Sequence, residues 1–234
     1  MPPDRSSLGL QHIVLLEGLA RDRLDQLAQR CLWLSLPAGK PLLLRSERKN
    51  DVFFLVSGRL RVTIYAANGR QVTFRDSLEG EHFGDIAAID GRPRSADVVT
   101  LTPSVVASLD RAGFLGLLRD EPVVAERVMR SLAALVRQLS ERVIDLSTLG
   151  VQNRIHAEIL RLARAAGVER NRARLEPGPK HADIASQVST YREQVTRELS
   201  ALARAGILEK DGAALVVRDV ARLEKMVEDV RGAA

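Results

Sequence analysis

The sequence is poor in cysteine and histidine, and this shortage excludes several classes of metal site. Its 234 residues include one cysteine, Cys31, and four histidines that lie far apart in the chain. A disulfide framework, an iron–sulfur cluster or a structural zinc site needs several such side chains at close spacing. We therefore expect no metal ion and no iron–sulfur cluster.

Long apolar runs are missing as well. No run approaches the ~18–20 residues that a helix needs to cross a bilayer, and the N-terminus does not match a secretory signal peptide. We expect a cytoplasmic protein with no membrane partner. Apolar residues make up 45% and charged residues 28% of the chain, which is an ordinary composition for a folded globular protein.

Lysine is also scarce, since only five of the 35 basic residues are lysines and the others are arginines. The net charge of +5 permits an anionic partner but does not require one. Two interpretations of the arginine excess remain open. One is the codon bias of a GC-rich genome, and the other is recognition of phosphate by the guanidinium group.

Aromatic residues are few and lie almost entirely in the first half of the chain. Seven of the eight precede residue 115, whereas the second half is rich in Ala, Leu and Arg, which predicts strands first and helices second. Residues 10–30 fit a helix, and about seven or eight short apolar runs follow. Asn68-Gly69 is typical of a hairpin turn. This pattern predicts a small β-barrel or roll.

A long helix is predicted from about Glu121 to Ser147. Its apolar residues follow a 3-4 spacing that is interrupted by Arg142, and such a seam favours a dimer. The alternative is a helix that packs on its own domain. The predicted seam consists of Ala125, Val128, Leu132, Leu135, Leu139, Leu146 and Leu149.

The last third predicts a helix-turn-helix. A helix over 182–188, a break at Ser189-Thr190 and a helix over 191–205 precede a hairpin and a last helix that Asp219 can cap. Thr190 can cap the second of these helices. The loop over 167–180 is expected to lack regular structure.

Two arginines and a glutamate lie near the start of the second helix, where a recognition helix meets base edges. Arg192 and Arg197 can donate to guanine, and Glu193 can accept from cytosine. The other interpretation is that Thr190 and Glu193 form a capping box and that the arginines are solvated.

A glycine turn followed by an Arg-Ser pair lies between the predicted strands. Gly84 precedes a short helical turn, so backbone N–H groups there can face an anion. Arg94 would neutralise that anion, Ser95 would donate a hydrogen bond, and Asp85 could accept from a sugar hydroxyl. The same pattern also occurs in turns that bind nothing.

Three segments of the chain, in their order along the sequence, resemble motifs of the cyclic-AMP receptor protein family. They are similar to its nucleotide-sensing branch among the CRP/FNR regulators. They lie at 56–62, 83–96 and 188–197, and the resemblance covers about residues 10–230. It implies an α+β fold. The implied domains are a jelly-roll-like cyclic-nucleotide-binding β-roll at 1–120, a dimerisation helix at 121–149 and a winged helix-turn-helix at 150–234.

The resemblance implies cyclic AMP as an allosteric effector, with cyclic GMP as an alternative, bound between the roll and the long helix. Asp85 takes the place of the usual glutamate at the ribose, and Leu139 takes the place of a threonine at the base. Leu139 cannot hydrogen-bond a base, so an adenine-selective contact is missing. Arg75 is expected to face solvent rather than the base. The implied ligand contacts are Gly84, Asp85, Ile86, Ala87, Arg94, Ser95, Val62, Phe74, Leu139 and Ser140.

The resemblance also implies a homodimeric regulator that binds double-stranded DNA at TGTGA-like half-sites and works with RNA polymerase. The departures at Asp85 and Leu139 favour an alternative, a regulator that is independent of nucleotide or uses another effector. Beyond His82 and Cys31 no residue suggests a haem ligand. An enzyme is not expected, since no general base, nucleophile or metal cluster accompanies the phosphate motif. The implied DNA contacts are Thr190, Tyr191, Arg192, Glu193, Thr196 and Arg197.

Overall fold

The computed structural model describes residues 6–45, 47–65 and 71–231. The chain divides into two compact units, Met1–Ala134 and Leu135–Ala234. A long helix, α5 (Pro122–Thr148), crosses the boundary and matches the predicted helix within one residue at each end. The predicted order of a β-rich domain, a long helix and a helix-turn-helix domain is confirmed.

The first unit contains two four-stranded antiparallel sheets, with the strand orders β1-β8-β3-β6 and β2-β7-β4-β5. The eight strands in the described part agree with the prediction of seven or eight. The predicted turn at Asn68-Gly69 lies outside the described residues. The strands are β1 (Leu32–Leu36), β2 (Pro41–Leu43), β3 (Val52–Ser57), β4 (Arg59–Tyr65), β5 (Gln71–Leu78), β6 (His82–Phe83), β7 (Asp97–Thr100) and β8 (Ser104–Leu109).

Strand β3 is buried on both faces. Its side chains alternate between the two faces of the strand, and each face packs into a different apolar cluster. Phe53 and Leu55 belong to a cluster with residues of both sheets, which forms the interior of the roll. Phe54 and its alternate neighbours instead join a second cluster with the surrounding helices. This is why residues 52–56 form a continuous apolar run.

Five helices in chain order accompany the roll: α1 (Ser7–Leu10), α2 (Arg21–Arg30), α3 (Asp85–Asp90), α4 (Arg111–Asp120) and the start of α5. The single helix predicted over residues 10–30 is wrong. A 3₁₀ turn and Gly18, at φ +77°, separate α1 from α2, because a left-handed residue ends helical geometry. Cys31 is buried, and burial raises the pKa of its thiol to about 12.

The second unit packs helices against a three-stranded antiparallel sheet of order β10-β11-β9. Asp219 caps the last helix as predicted, since its Oδ1 accepts from the Arg222 N–H at 3.0 Å. Strand β9 lies in the loop predicted to be irregular, so that part of the prediction is wrong. The elements are α6 (Val151–Ala166), β9 (Ala173–Leu175), α7 (His181–Gln187), α8 (Arg192–Arg204), β10 (Leu208–Asp211), β11 (Ala214–Val217) and α9 (Val220–Arg231).

Within the described residues, no helix combines the length and the apolar character that are needed to cross a membrane.

Candidate functional sites

The predicted phosphate turn is a glycine in a left-handed conformation followed by the short helix α3. Gly84 has a φ of +87° and is the N-cap of α3. A Cβ on this residue would lie 2.7 Å from Nη1 of Arg94 and 2.8 Å from the Asp51 carbonyl oxygen. Both the conformation and the space therefore require glycine here.

Arg94 is a buried cation that holds this turn in place. Its side chain is 4% exposed, and Nη1 donates to the Gly84 carbonyl at 3.0 Å. Nη2 donates to the Asp51 carbonyl at 2.8 Å, and the guanidinium lies 5.7 Å from the centre of the Phe53 ring. Burial lowers the pKa of Arg94. Nε is buried and has no hydrogen-bond partner among the residues that the structure describes.

Asp85 opens α3 and is largely buried beside His82. The imidazole Nε2 lies 3.7 Å from Oδ2 of the carboxylate. Burial alone would raise the pKa of Asp85, but the contact with His82, a backbone hydrogen bond and the charge of Arg75 outweigh it, so this pKa is lowered from 3.8. The carboxylate that was predicted to hold a ribose hydroxyl is therefore charged and already paired.

The far end of α3 is held by another arginine. Nε of Arg111 donates to the Ala88 carbonyl at 2.8 Å, and Nη2 donates to the Ile89 carbonyl at 3.4 Å. Carbonyl groups at a helix end have no partner within the helix and carry partial negative charge. Arg111 was missed in the sequence, where the only signal was a basic residue in the first turn of the following helix.

The other residues of this predicted site differ in exposure. Ile86 is 37% exposed and Ser95 is exposed, whereas Ala87 is buried. The structure thus brings three predicted residues together. Gly84 and Asp85 are neighbours at the start of α3, and Arg94 donates a hydrogen bond to the Gly84 carbonyl. Ser95 follows the buried Arg94 directly and leaves its own hydroxyl accessible.

Val62 and Phe74 lie on neighbouring strands of one sheet, at a β-bulge. Val62 pairs with Arg75, and the next pair along is Thr63 with Thr73, so Phe74 falls within the bulge. Val62 packs against the interior cluster of the roll, which includes Phe83 just before Gly84. Directly paired residues share a face of the sheet, so Arg75 lies on the same face as Val62.

Arg75 is not free in solvent, and the expectation for it is therefore corrected. Nη1 forms an ion pair with Oε2 of Glu81 at 2.5 Å, and Nη2 donates to the His82 carbonyl at 3.3 Å. The bulge explains the error, since one extra residue shifts every following side chain to the other face.

Leu139 and Ser140 lie on the exposed part of α5. Leu139 is 38% exposed, and the Ser140 hydroxyl donates to the Val136 carbonyl at 2.9 Å, one turn earlier on the same helix. A hydroxyl that bonds back to its own helix is a common arrangement for serine.

The exposed apolar stripe of α5 differs from the predicted seam. Val128 is buried, and Arg142 is directed to α7, so these two residues do not belong to an exposed face. Six of the residues that are apolar and at least partly exposed follow a 3-4-3-4-3 spacing, as in a coiled-coil seam. We call this set the α5 stripe: Met129, Leu132, Val136, Leu139, Val143 and Leu146.

The break between α7 and α8 is a tight turn built on Ser189. This residue has a φ of +56°, a conformation that costs a residue with a Cβ about 1–2 kcal/mol. The N–H of Thr190 donates to the Ala185 carbonyl at 2.9 Å and closes the turn. The structure therefore has the predicted helix-turn-helix, with α7 shifted by one residue and α8 one residue shorter at each end than predicted.

Thr190 does not cap α8, which corrects the prediction. The N-cap is Tyr191, and the Thr190 hydroxyl is directed to Oε1 of Gln194 at 3.4 Å. Thr190 is 8% exposed, so its side chain supports the turn from inside. The Thr190 N–H donates to the Ala185 carbonyl, so the capping box with Glu193, the alternative interpretation of this segment, is not formed.

One face of α8 is polar and exposed near its N-terminus. Val195 and Leu199 are buried in the core of the unit, and the side chains on the opposite face are exposed at helical spacing. Tyr191, just before the helix, is 68% exposed. The exposed residues of α8 on this face are Arg192, Glu193, Thr196 and Arg197.

Two histidines hold neighbouring parts of this helix. Nδ1 of His181 lies 2.7 Å from the Thr196 hydroxyl. Nε2 of the buried His156 lies 2.6 Å from Oε1 of Glu198, which also accepts from Gln152 at 3.2 Å. Neither histidine was recognised in the sequence, because an isolated histidine on a helix carries no pattern.

Two family models match the chain, and they match the two parts in which these sites lie. The description "Cyclic nucleotide-binding domain" matches residues 33–121, and "Crp-like helix-turn-helix domain" matches residues 153–226. The chain belongs to the CRP/FNR family of transcription regulators. As a CRP/FNR regulator it is a DNA-binding protein, which agrees with the exposed face of α8.

Similar proteins span nearly the whole chain. The cyclic AMP receptor protein of Thermus thermophilus is 29% identical over 91% of this chain and 95% of its own. A CRP-like cAMP-activated global transcriptional regulator of Mycobacterium tuberculosis is 24% identical over 90% and 95%. The structure of a CooA mutant from Carboxydothermus hydrogenoformans has a TM-score of 0.79 at 19% identity, covering 93% and 95%, and supports the fold.

Proposed function

We propose that this CRP/FNR regulator is a homodimer that binds cyclic AMP or cyclic GMP and then binds a DNA palindrome with TGTGA-like half-sites. The observation that carries the ligand part is the turn at Gly84, where a left-handed glycine lies against the buried guanidinium of Arg94. The similarity to the cyclic AMP receptor protein of Thermus thermophilus supports it.

The chemistry of the turn fits an anionic ligand. Nε of Arg94 is a buried donor without a partner in the described part of the chain, and a phosphate oxygen would satisfy it. The exposed Ser95 hydroxyl follows directly. Gly84, Asp85, Ile86, Ala87, Arg94 and Ser95 are the candidate contacts, with Val62 and Phe74 as apolar lining and Leu139 and Ser140 as further contacts on α5.

These proposed contacts do not distinguish adenine from guanine in the ligand. Leu139 has no hydrogen-bonding side chain, so it cannot select the adenine amino group. We therefore expect both cyclic AMP and cyclic GMP to bind.

The DNA part of the proposal assigns base contacts to α8. Arg192 and Arg197 would donate to guanine, and Glu193 would accept from cytosine. The further candidate contacts with the DNA are Thr190, Tyr191 and Thr196. A dimer through the α5 stripe would place two such helices about one DNA turn, ~34 Å, apart. RNA polymerase is the further partner that we propose.

Calorimetry with each nucleotide tests the ligand part. We expect binding of cyclic AMP and cyclic GMP below about 1 mM, and loss of that binding in Arg94→Ala. Arg92→Ala is the matched control, since Arg92 is exposed two residues away. Binding of neither nucleotide to the wild type overturns the ligand proposal, and unchanged binding by Arg94→Ala removes Arg94 from the site.

A second candidate function is regulation of DNA binding without a nucleotide. It is favoured by the fact that Arg94 already donates to two carbonyls and that Asp85 is paired with His82. DNA titrations with and without each nucleotide separate the two functions. Equal affinity in the presence and absence of nucleotide supports the second.

A further inference from the structure

Three arginines converge on the last residues of α7, next to the turn that leads into α8. Nη2 of Arg142 donates to the Gln187 carbonyl, and Nε of Arg154 donates to the Val188 carbonyl at 3.1 Å. Nη2 of Arg161 donates to the Gln187 side chain at 3.3 Å. Carbonyl groups at the end of a helix favour such cations, because they lack partners within the helix.

Two of these arginines connect α7 to the end of α5. Arg142 itself lies on α5, six residues before that helix ends. Arg154 lies on α6, and its Nη1 donates to the Leu149 carbonyl, just after α5, at 2.9 Å. Its guanidinium therefore bridges the carbonyl ends of α5 and α7.

The carbonyls that these arginines hold are adjacent to the strained turn. Val188 precedes Ser189, whose φ is +56°, and Thr190 closes the turn on Ala185. The direction in which α8 leaves α7 depends on this short segment. A cation that fixes Gln187 and Val188 therefore fixes where the exposed face of α8 points.

We propose that Arg142 and Arg154 are positioning residues for DNA binding, which tie the α7–α8 turn to the last turns of α5. The proposal rests on the assignment of α8 as the helix that contacts DNA. It also explains Arg142, the one charge that interrupts the predicted apolar seam. Arg142 is half-buried, and burial lowers the pKa of its guanidinium, a cost that its bond to the Gln187 carbonyl offsets.

The test measures affinity for a duplex that the wild-type protein selects from a random library, over a series of salt concentrations. Arg142→Gln removes the cation, and Arg137→Gln is the matched control, because Arg137 is exposed on the same helix. We expect a loss of about tenfold for Arg142→Gln and less than about twofold for Arg137→Gln. Thermal melting of each variant establishes that it is folded.

Two further readouts separate positioning from other roles. A direct phosphate contact would lower the slope of log affinity against log salt by about one, whereas a positioning residue leaves that slope unchanged. Arg142→Lys should restore most of the affinity, since an ammonium can still donate to one carbonyl. Arg154→Lys should restore less, because a single ammonium cannot reproduce the fork that bridges Val188 and Leu149.

Equal affinities of folded Arg142→Gln and Arg137→Gln would overturn the proposal, and so would a salt slope that falls by one in Arg142→Gln. Arg192→Ala is measured beside them. If that variant binds the selected duplex as tightly as the wild type, the assignment of α8 as the DNA-contacting helix is what fails.

Discussion

Arg94 and Gly84 are bound to each other across ten residues of chain, since Nη1 of the arginine donates to the glycine carbonyl at 3.0 Å. The same nitrogen occupies the space that a Cβ on residue 84 would need. The proposed ligand site and the stability of the roll therefore depend on the same two residues.

Gly84→Ala should destabilise the first unit. The left-handed conformation alone costs about 1–2 kcal/mol for alanine, and the contact with Arg94 adds to it. Thermal melting should show a lower midpoint than for Gly116→Ala, since Gly116 lies within α4 and a Cβ there meets only the far end of Arg119 at 3.9 Å. Equal midpoints would contradict the assigned conformation.

Arg94→Ala should lower stability even without a ligand. Two carbonyls, those of Gly84 and Asp51, lose their buried donors, and each such loss costs about 1–3 kcal/mol. Arg92→Ala should have little effect, because Arg92 is exposed. Denaturant unfolding of the unligated proteins provides the comparison. An Arg94→Ala variant as stable as Arg92→Ala would show that the arginine serves the ligand alone.

Asp85 should contribute a pH-dependent part of the stability. Its pKa in the folded protein lies below 3.8, so the charged form is favoured by folding. The contribution is present above the unfolded pKa and is lost as the pH falls through the folded pKa. The difference in melting temperature between wild type and Asp85→Asn should therefore shrink as the pH falls below about 4. Glu79→Gln, at an exposed position, should show no comparable trend.

Val143→Asp should dissociate the proposed dimer. Val143 lies between Leu139 and Leu146 in the α5 stripe and is 62% exposed in the single chain. In a coiled-coil dimer the new carboxylate would be buried in the seam without a partner. Sedimentation equilibrium should show a dissociation constant raised at least about tenfold. Gln138→Asp introduces the same charge on the exposed side of α5 away from the stripe. If both variants associate like the wild type, the stripe is not the interface.

Ser189→Gly should stabilise the second unit by about 0.5–1 kcal/mol, because glycine adopts the left-handed conformation without the penalty for a Cβ. Ser200→Gly is the opposite control. It places glycine within α8 and should destabilise by a similar amount. Calorimetry measures both. A lower midpoint for Ser189→Gly would show that the serine side chain supports the turn.

The order of the domains could be predicted from the sequence because it depends on periodicity and composition. The 27 residues of α5 and the Asp219 cap are local patterns, and the structure has both. The short strand β9 could not be predicted, since three residues carry no period and its pairing with β11 lies about 40 residues away.

The side chains of the sites were harder to place, because their partners are backbone groups distant in sequence. Arg94 was recognised, but its bond to the Asp51 carbonyl crosses 43 residues. A single bulge at Phe74 moved Arg75 to the face of Val62. The predicted seam and the α5 stripe share Leu132, Leu139 and Leu146 and differ elsewhere, because Leu, Val and Met occur on more than one side of the helix and the sequence does not show that Val128 is buried.

The α5 stripe has a consequence for the helix that carries it. Among the 27 residues of α5, all of them described, the buried ones are Val124 and Val128, both in its first two turns. The remaining five turns bury little side-chain surface within one chain, and a helical segment with so little tertiary packing is only marginally stable in water. Folding of this segment is then linked to association by mass action. The helical signal in circular dichroism should therefore rise with protein concentration, and the melting temperature should rise with it.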